Sequence, residues 1–385
     1  MTYEPTDHIA ARFLRDGRGR AVASRNERDL LRLIWGNPGI ARASLTDQPF
    51  DLTQQSLHRI VDKLHERGMI SFLEADASRS GPKSPRLSPN RDWCLTIGVS
   101  INVGSIGIAL LGFGELLGLE ALPDADMELA EAFEAIERAF DRLLAKRDLD
   151  RDAILGIGVG VAGYRMSAEG SFNTPQPLHR WSMIDLAPLF GRRFGLPVWT
   201  DNGSQTAALA EAVFGVGRNS PDFAYVAHNY GYGGGLIFGG KPFRGSFGNA
   251  GELSGLFDLD ESRYRPALHL LLEDLRKAGR HQLTLSELIR SVSPDWIGVT
   301  DWIEKVAPAH NKAMNALSSV FDPGVIVLGG ELPPVLGRML IERTVFHSRP
   351  RHGMPRRTPQ LTVAEVTEEP SAIGAALLPL LETVL

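Results

Sequence analysis

Twice along this chain, three closely spaced strand-like runs are followed by a helix, a strand and a helix, and that duplication restricts the fold more than any single motif. The first round has strands at about 95–101, 105–111 and 115–120. An amphipathic helix with Leu129, Phe133, Ile136, Phe140 and Leu143 follows, then a strand at Ile154–Val161 and a helix near Ile184–Phe194. The second round starts at Phe223, with strands at 223–228, 234–238 and 241–244 and helices through 302–320. A strand at Val325–Leu328, a helix, a strand near Leu361 and a closing helix from Ala372 complete it. Helices interleaved with strands cover the faces of a sheet. Two such halves imply two sheet subdomains with a ligand cleft at the strand ends; one large doubly wound domain is the competing arrangement.

A different pattern precedes the duplication. Ser24-Arg25-Asn26-Glu27 offers a helix start, and Leu30, Leu31, Leu33 and Ile34 form an apolar stripe ended by Gly36, Asn37 and Pro38. A short second helix is expected around Arg42-Ala43-Ser44-Leu45. After Pro49-Phe50-Asp51, Thr53 caps a third helix with Leu57, Ile60, Val61 and Leu64 on one face. The opposite face carries Gln54, Gln55, Ser56, His58, Arg59 and Lys63. Gln and Arg can grip base edges with paired hydrogen bonds, and a helix N-terminus suits phosphate. Gly68 closes the helix, Met69–Leu73 reads as a strand, and Arg79, Gly81, Lys83 and Arg86 populate a hairpin tip. A small helical interaction module with a solvated polar face is the bland alternative. Three helices and a basic hairpin in this order favour a winged helix-turn-helix, with DNA contacts at Arg42, Ser44, Gln54, Gln55, Ser56, His58, Arg59, Arg79, Lys83 and Arg86.

Composition agrees with that reading without deciding it. Residues 1–90 hold 14 Lys and Arg against 11 Asp and Glu, which leaves −8 on the remainder of a 385-residue chain of net charge −5. Nonspecific DNA affinity should therefore be moderate and salt-sensitive. No apolar run reaches membrane-spanning length, and the start lacks the basic and apolar regions of a signal peptide, so a cytoplasmic protein is expected. The single cysteine, Cys94, lies between Trp93 and Leu95 and reads as a buried, inert thiol; it excludes an internal disulfide and a cysteine-based zinc site.

Six motifs then fall in a familiar order. They are Gly158-Val159-Gly160-Val161-Ala162-Gly163; Leu178…Trp181; Asp201-Asn202-Gly203…Ala208-Leu209-Ala210-Glu211; Gly231-Tyr232-Gly233-Gly234-Gly235…Gly245…Ala250-Gly251-Glu252; Asp322-Pro323…Val327-Leu328-Gly329-Gly330; and Ile373-Gly374-Ala375-Ala376. With the reader in front, the chain resembles the ROK family, which includes sugar kinases and sugar-responsive repressors with an added winged helix. The resemblance runs from about Ser24 onward. It implies an N-terminal winged helix-turn-helix plus an actin-like (sugar-kinase/ribonuclease H-like) two-subdomain α/β fold. The expected boundaries are 1–90 for the reader with wing and linker, 91–200 plus about 370–385 for the first subdomain, and 201–369 for the second.

Departures from the family pattern shape the expected function. In family kinases an Asp directly after the Asn takes the proton from the sugar hydroxyl, in line with the γ-phosphate. Here that position is Gly203. The family's phosphate-cradling Asp-x-Gly-Gly-Thr turn is here Ser100-Ile101-Asn102-Val103-Gly104, without the acid and with a β-branched residue where backbone must approach phosphate. Family members also carry Glu-x-Gly-His and a cysteine-rich zinc cluster. This chain has Glu252-Leu253-Ser254-Gly255 and no cysteine after Cys94, so no metal is expected. The Asn that usually precedes Leu178 is Pro177. By position, the surviving sugar contacts are Asn202 and Glu252, which read either as ligand groups or as structural hydrogen-bonding groups. Gly163 and His179 join the expected ligand set, with Arg180, His228 and Asn229 as further cleft residues.

The resemblance and its departures together imply a regulator in the repressor sense, which binds double-stranded operator DNA as a homodimer or homotetramer and responds to a small sugar or polyol effector. No enzyme activity, cofactor or membrane association is expected. Two alternatives stay open: a sugar kinase with an N-terminal docking module, and a DNA-binding protein with no effector.

Overall fold

The computed structural model describes residues 23–47, 50, 52–73, 84–123, 127–167, 170–347 and 350–385. Helix α1 (Arg25–Gly36) starts at a reciprocal cap: Ser24 Oγ accepts the Glu27 amide, and the Glu27 carboxylate accepts the Ser24 amide. The expected second helix is instead a 3-10 turn over Arg42–Asp47. Its polar groups are satisfied locally and by the wing, because Thr46 Oγ1 donates to the Ala43 carbonyl and Ser84 Oγ accepts the Ala43 amide. Thr53 caps helix α2 (Gln54–Glu66), whose Leu57, Val61 and Leu64 are buried. Strands β1 (Ile40–Ala41), β2 (Ile70–Leu73) and β3 (Arg86–Pro89) form a three-stranded antiparallel sheet in the order β1-β3-β2. Helices and wing sheet together make the winged helix-turn-helix.

Strands β4 (Leu95–Asn102), β5 (Ser105–Gly112), β6 (Glu115–Pro123), β7 (Ile154–Val161) and β10 (Val198–Asn202) form the first large sheet, in the order β10-β7-β4-β5-β6. A short ribbon, β8 (Tyr164–Arg165) with β9 (Phe172–Asn173), stands apart from it. The second sheet has β11 (Phe223–His228), β12 (Tyr232–Phe238), β13 (Lys241–Pro242), β14 (Val325–Gly330) and β15 (Gln360–Val363), in the order β13-β12-β11-β14-β15. Each sheet begins with an antiparallel meander and adds two parallel strands beside its first one. That is the duplication legible in the sequence, and it gives the actin-like fold.

Helices α3 (Leu129–Ala145) and α4 (Leu186–Phe194) cover one face of the first sheet through a cluster with Phe133, Phe140, Trp181 and Phe190. Helix α5 (Gly203–Phe214) has no amphipathic stripe; eight of its twelve residues are buried between the two halves. Helices α6 (Leu268–Lys277), α7 (Leu285–Ser291), α8 (Val299–Val320) and α9 (Pro334–Glu342) cover the second sheet. The last helix, α10 (Pro370–Thr383), is almost wholly buried against α5, β4, β5 and β7. Backbone approach there is so close that Gly98, Gly158 and Gly374 face neighbouring main chain where a Cβ would sit.

One apolar core joins the winged helix-turn-helix to this helix. Leu30, Leu31 and Ile34 of α1 and Leu57, Val61 and Leu64 of α2 belong to the same buried cluster as Ile373, Leu377, Leu380, Val384 and Leu385. Arg28 ties the contact polar-side: its Nε donates to the Leu385 carbonyl at 3.0 Å and Nη2 to the Leu381 carbonyl at 2.5 Å. Cys94 is buried and unbridged in this core, and burial pushes its thiol pKa up.

Candidate functional site

On the reader, Gln54, Gln55 and Arg59 are exposed on one face of α2, with Ser56 and His58 half-buried beside them. Ser56 also serves the cap, its amide and hydroxyl meeting Thr53 Oγ1 at 3.2 and 2.9 Å. Ser44 is half-buried on the 3-10 turn, and exposed Arg86 donates to the Gly39 carbonyl. Arg42 departs from the expected contact set. Its guanidinium pairs with Asp62 at 2.9 Å, donates to the His58 carbonyl and lies 5.9 Å from the Phe72 ring centroid, so it braces α2 against the wing. Arg79 and Lys83 lie outside the described residues. Inside the reader, Glu27 is 3% exposed and bonds Lys63 at 2.5 Å. Burial raises its pKa, but the Lys63 and Ser24 bonds outweigh burial and leave it below the usual carboxylate range.

A cavity of about 270 Å³ opens where the two large sheets meet. The β4–β5 turn supplies Asn102 and Val103, the end of β7 supplies Ala162 and Gly163, and the β10–α5 junction supplies Asn202 and Ser204. From the other half come Asn229, Tyr232, Glu252, Arg265 and Glu331. Asn202 is spoken for on both sides: Oδ1 accepts the Ser204 and Gln205 amides as the cap of α5, and Nδ2 donates to the Gly163 carbonyl at 2.7 Å. The geometry thus favours the structural side of its two readings, while still placing it on the cavity wall. Gly163 sits at φ 146° with the Asn173 carbonyl where a Cβ would be, which explains the glycine. Glu252 accepts Ser254 Oγ at 2.6 Å, and Ser254 Oγ in turn meets Tyr164 Oη at 3.0 Å. Burial raises the Glu252 pKa against the lowering by Ser254 and Arg265.

Three polar atoms of this wall are buried without a hydrogen-bond partner among the described residues: Asn102 Oδ1, Tyr232 Oη and Arg265 Nε. Buried polar groups are almost always satisfied, so three on one small cavity give it a wall that water or a polar ligand would complete. The sequence reading missed all three. Tyr232 lay inside a quoted glycine motif and could have been found there; Arg265 carries no local signal. His179 does not line the cavity: it is exposed, with Nδ1 3.3 Å from the Gln176 carbonyl. Arg180 pairs with Glu128 at 3.2 Å. His228 is fully buried behind Tyr232, with ring centroids 5.2 Å apart.

The position of the expected kinase base is bare. Gly203 is the first residue of α5, and its missing Cβ would lie 3.2 Å from Ser371 Oγ. Asp201 does not replace it. Its side chain is 1% exposed and is paired with Arg244 at 2.6 Å and Arg165 at 3.7 Å, away from the cavity lining. Beyond Asn102 and Glu331 the cavity continues into a larger cleft of about 880 Å³ between the sheets, bordered by Gly104, Ser105, Gly330 and the start of α10. No cluster of metal-ligating side chains occurs among the described residues, and none of their helices is long and apolar enough to cross a membrane.

Residues 96–257 match the model of the ROK family. A xylose repressor of Caldicellulosiruptor bescii is 30% identical over 229 residues, which are 58% of this chain and 56% of that protein. A ROK family transcriptional regulator, homologue of the E. coli MLC protein, superposes with a TM-score of 0.65 at 20% identity, over 93% of this chain and 96% of that one. A ROK family glucokinase from Streptomyces griseus, solved with glucose and AMPPNP, superposes with a TM-score of 0.60 at 22% identity, over 74% of this chain and 98% of that one. Both superpositions speak to fold, and the regulator's extends across nearly the whole chain.

Proposed function

This chain carries a ROK family domain, and from that premise we propose that it is a transcriptional regulator, a repressor of carbohydrate or polyol catabolism genes. It binds operator DNA through α2 and the wing, and a small sugar-like effector in the 270 Å³ cavity releases it. The observation that carries this reading is the single core shared by the reader and α10, whose N-terminal end borders the ligand cleft. A mere docking module would need no such continuity with the cleft. The xylose repressor relative supports the same direction and places xylose first among effectors to try.

Phosphoryl transfer is excluded from the proposal for a chemical reason. It requires a base in line with the γ-phosphate and a backbone cradle for phosphate. Gly203 cannot accept a proton, and Ser100-Ile101-Asn102-Val103-Gly104 lacks both the acid and the paired glycines of that cradle. A homodimer or homotetramer presents two copies of α2 to major grooves about one helical turn, 34–36 Å, apart. The effector shifts the population between arrangements of the two halves, with a coupling of about 1–3 kcal/mol being typical. The test is a mobility shift with the promoter of the protein's own operon, followed by xylose and a sugar and polyol panel. Specific retardation relieved by one of them is expected; no retardation at all contradicts the reading.

A further inference from the structure

The 880 Å³ cleft has a charge that suits no nucleotide. Glu331, Glu368 and Glu369 border it, Arg290 stands alone against them, and none of the three carboxylates has an ion-pair partner among the described residues. A fourth acid on its wall, Glu120, is already neutralised by Arg142 at 2.6 Å and Lys146 at 3.4 Å. A triphosphate entering here would meet three acids without ion-pair partners and, among the described lining residues, Arg290 as the one cation to hold it.

Glu369 also occupies a telling place. Ser100, which stands where the phosphate turn would have its acid, donates to Glu369 Oε2 at 3.2 Å. Gly107 on the neighbouring strand leaves the room that this carboxylate fills. A carboxylate from the start of α10 thus reaches the strand end where phosphate would be cradled. Independently of the acids, Asn102 is 7% exposed, lines both the cleft and the smaller cavity, and has an unpartnered Oδ1. An ionised carboxylate and an amide oxygen accept hydrogen bonds, so a cationic donor suits this wall, and its binding releases the proton that burial and Glu369 otherwise keep on Glu331.

We propose that this cleft binds a small ligand carrying a protonated primary amine, held by Glu331 and Glu369 with Asn102 Oδ1 accepting a further N–H. The inference deepens the effector reading by favouring, among sugars and polyols, those that carry an amine over xylose, and it rests on that reading only for its consequence at DNA. The ammonium sits between the two carboxylates, and the rest of the molecule extends past Asn102 toward Tyr232 and Arg265.

The test uses the full chain and two matched probes, 1,4-diaminobutane and 1,4-butanediol, with Mg-ATP as a third arm, read by thermal shift and calorimetry. Saturable binding of the diamine alone is expected. Glu331→Gln and Glu369→Gln should each weaken it roughly tenfold or more, the size of a lost charge-assisted hydrogen bond. Both variants keep the shape of the original side chain, and their melting curves confirm folding. Equal response to diamine and diol, no response to either, unchanged diamine affinity in both variants, or stabilisation by Mg-ATP would each overturn the proposal. Operator retardation measured in parallel separates the two readings: DNA binding without amine binding removes only this inference, whereas loss of DNA binding removes the regulator.

Discussion

At Gly203 a glycine opens a helix that would accept a Cβ with little steric difficulty, since it would approach the Ser371 hydroxyl at 3.2 Å and the Val161–Ala162 backbone at ordinary contact distances of 3.5 and 3.6 Å. Gly203→Asp should therefore fold, yet no ADP should form from ATP with xylose or glucose, because the phosphate turn is also altered. A coupled ADP assay checks this, and turnover in the variant would show that the second change is harmless. Burial governs another set of residues. His228 and His310 are fully buried, 6.4 Å apart. Burial, and for His228 also the neighbouring His310, lowers their pKa values to about 3 and about 4. Both rings stay neutral in the folded chain, while the unfolded chain protonates them below about 6.5. Their contribution to stability is thus complete above pH 6.5 and lost as pH falls toward 4, by at most about 1.4 kcal/mol per pH unit for each ring. Glu331 acts in the other sense: burial, then Glu369, pushes it to about 8, so it removes stability as pH rises from about 4.5 to 8. His310→Gln should flatten the acid limb of a melting-temperature profile, and an unchanged limb would contradict the assignment.

Among the elements, α2 and α10 matter most for the proposed switch. Arg59 is exposed on α2 and makes no ion pair among those found in the reader. Arg59→Ala should weaken operator binding by about 1–3 kcal/mol without changing the melting temperature. Arg28→Ala removes the bonds to the Leu381 and Leu385 carbonyls and should cost about 1–3 kcal/mol in denaturant unfolding. If α10 couples cleft to reader, the same variant should also blunt effector release at unchanged operator affinity. The elements carrying strong periodicity were legible in sequence: α1, α2, α3 and the meander strands fell within a few residues of their places. Helix α5 went unread, because most of it is buried and it shows no apolar stripe. The second helix of the reader failed as an α-helix because six residues cannot close enough i to i+4 bonds. Of the site, the glycine motifs located the cavity walls. Arg42 misled because distant partners on α2, Asp62 and the His58 carbonyl, hold its guanidinium, and His179 because its turn exposes it off the cavity wall; Arg265 and Glu369 arrive from segments with no motif at all.

On the scale of the whole molecule, two duplicated halves clasp a polar cavity, and a single buried helix carries their contact to the winged helix-turn-helix. Such an arrangement can convert ligand binding into a change at the reader, provided that the ligand distinguishes two arrangements of the halves. Stabilisation by a true effector at 100 times its dissociation constant should be about 2.7 kcal/mol. The modest positive charge of residues 1–90 predicts moderate nonspecific DNA affinity that falls with salt. The most direct measurement is fluorescence anisotropy of labelled promoter DNA titrated with the purified chain, with and without xylose and the wider panel. Tight, salt-dependent binding that discriminates against scrambled DNA and weakens with one small ligand is the predicted result. Equal binding to promoter and scrambled DNA, or none to either, would contradict the account.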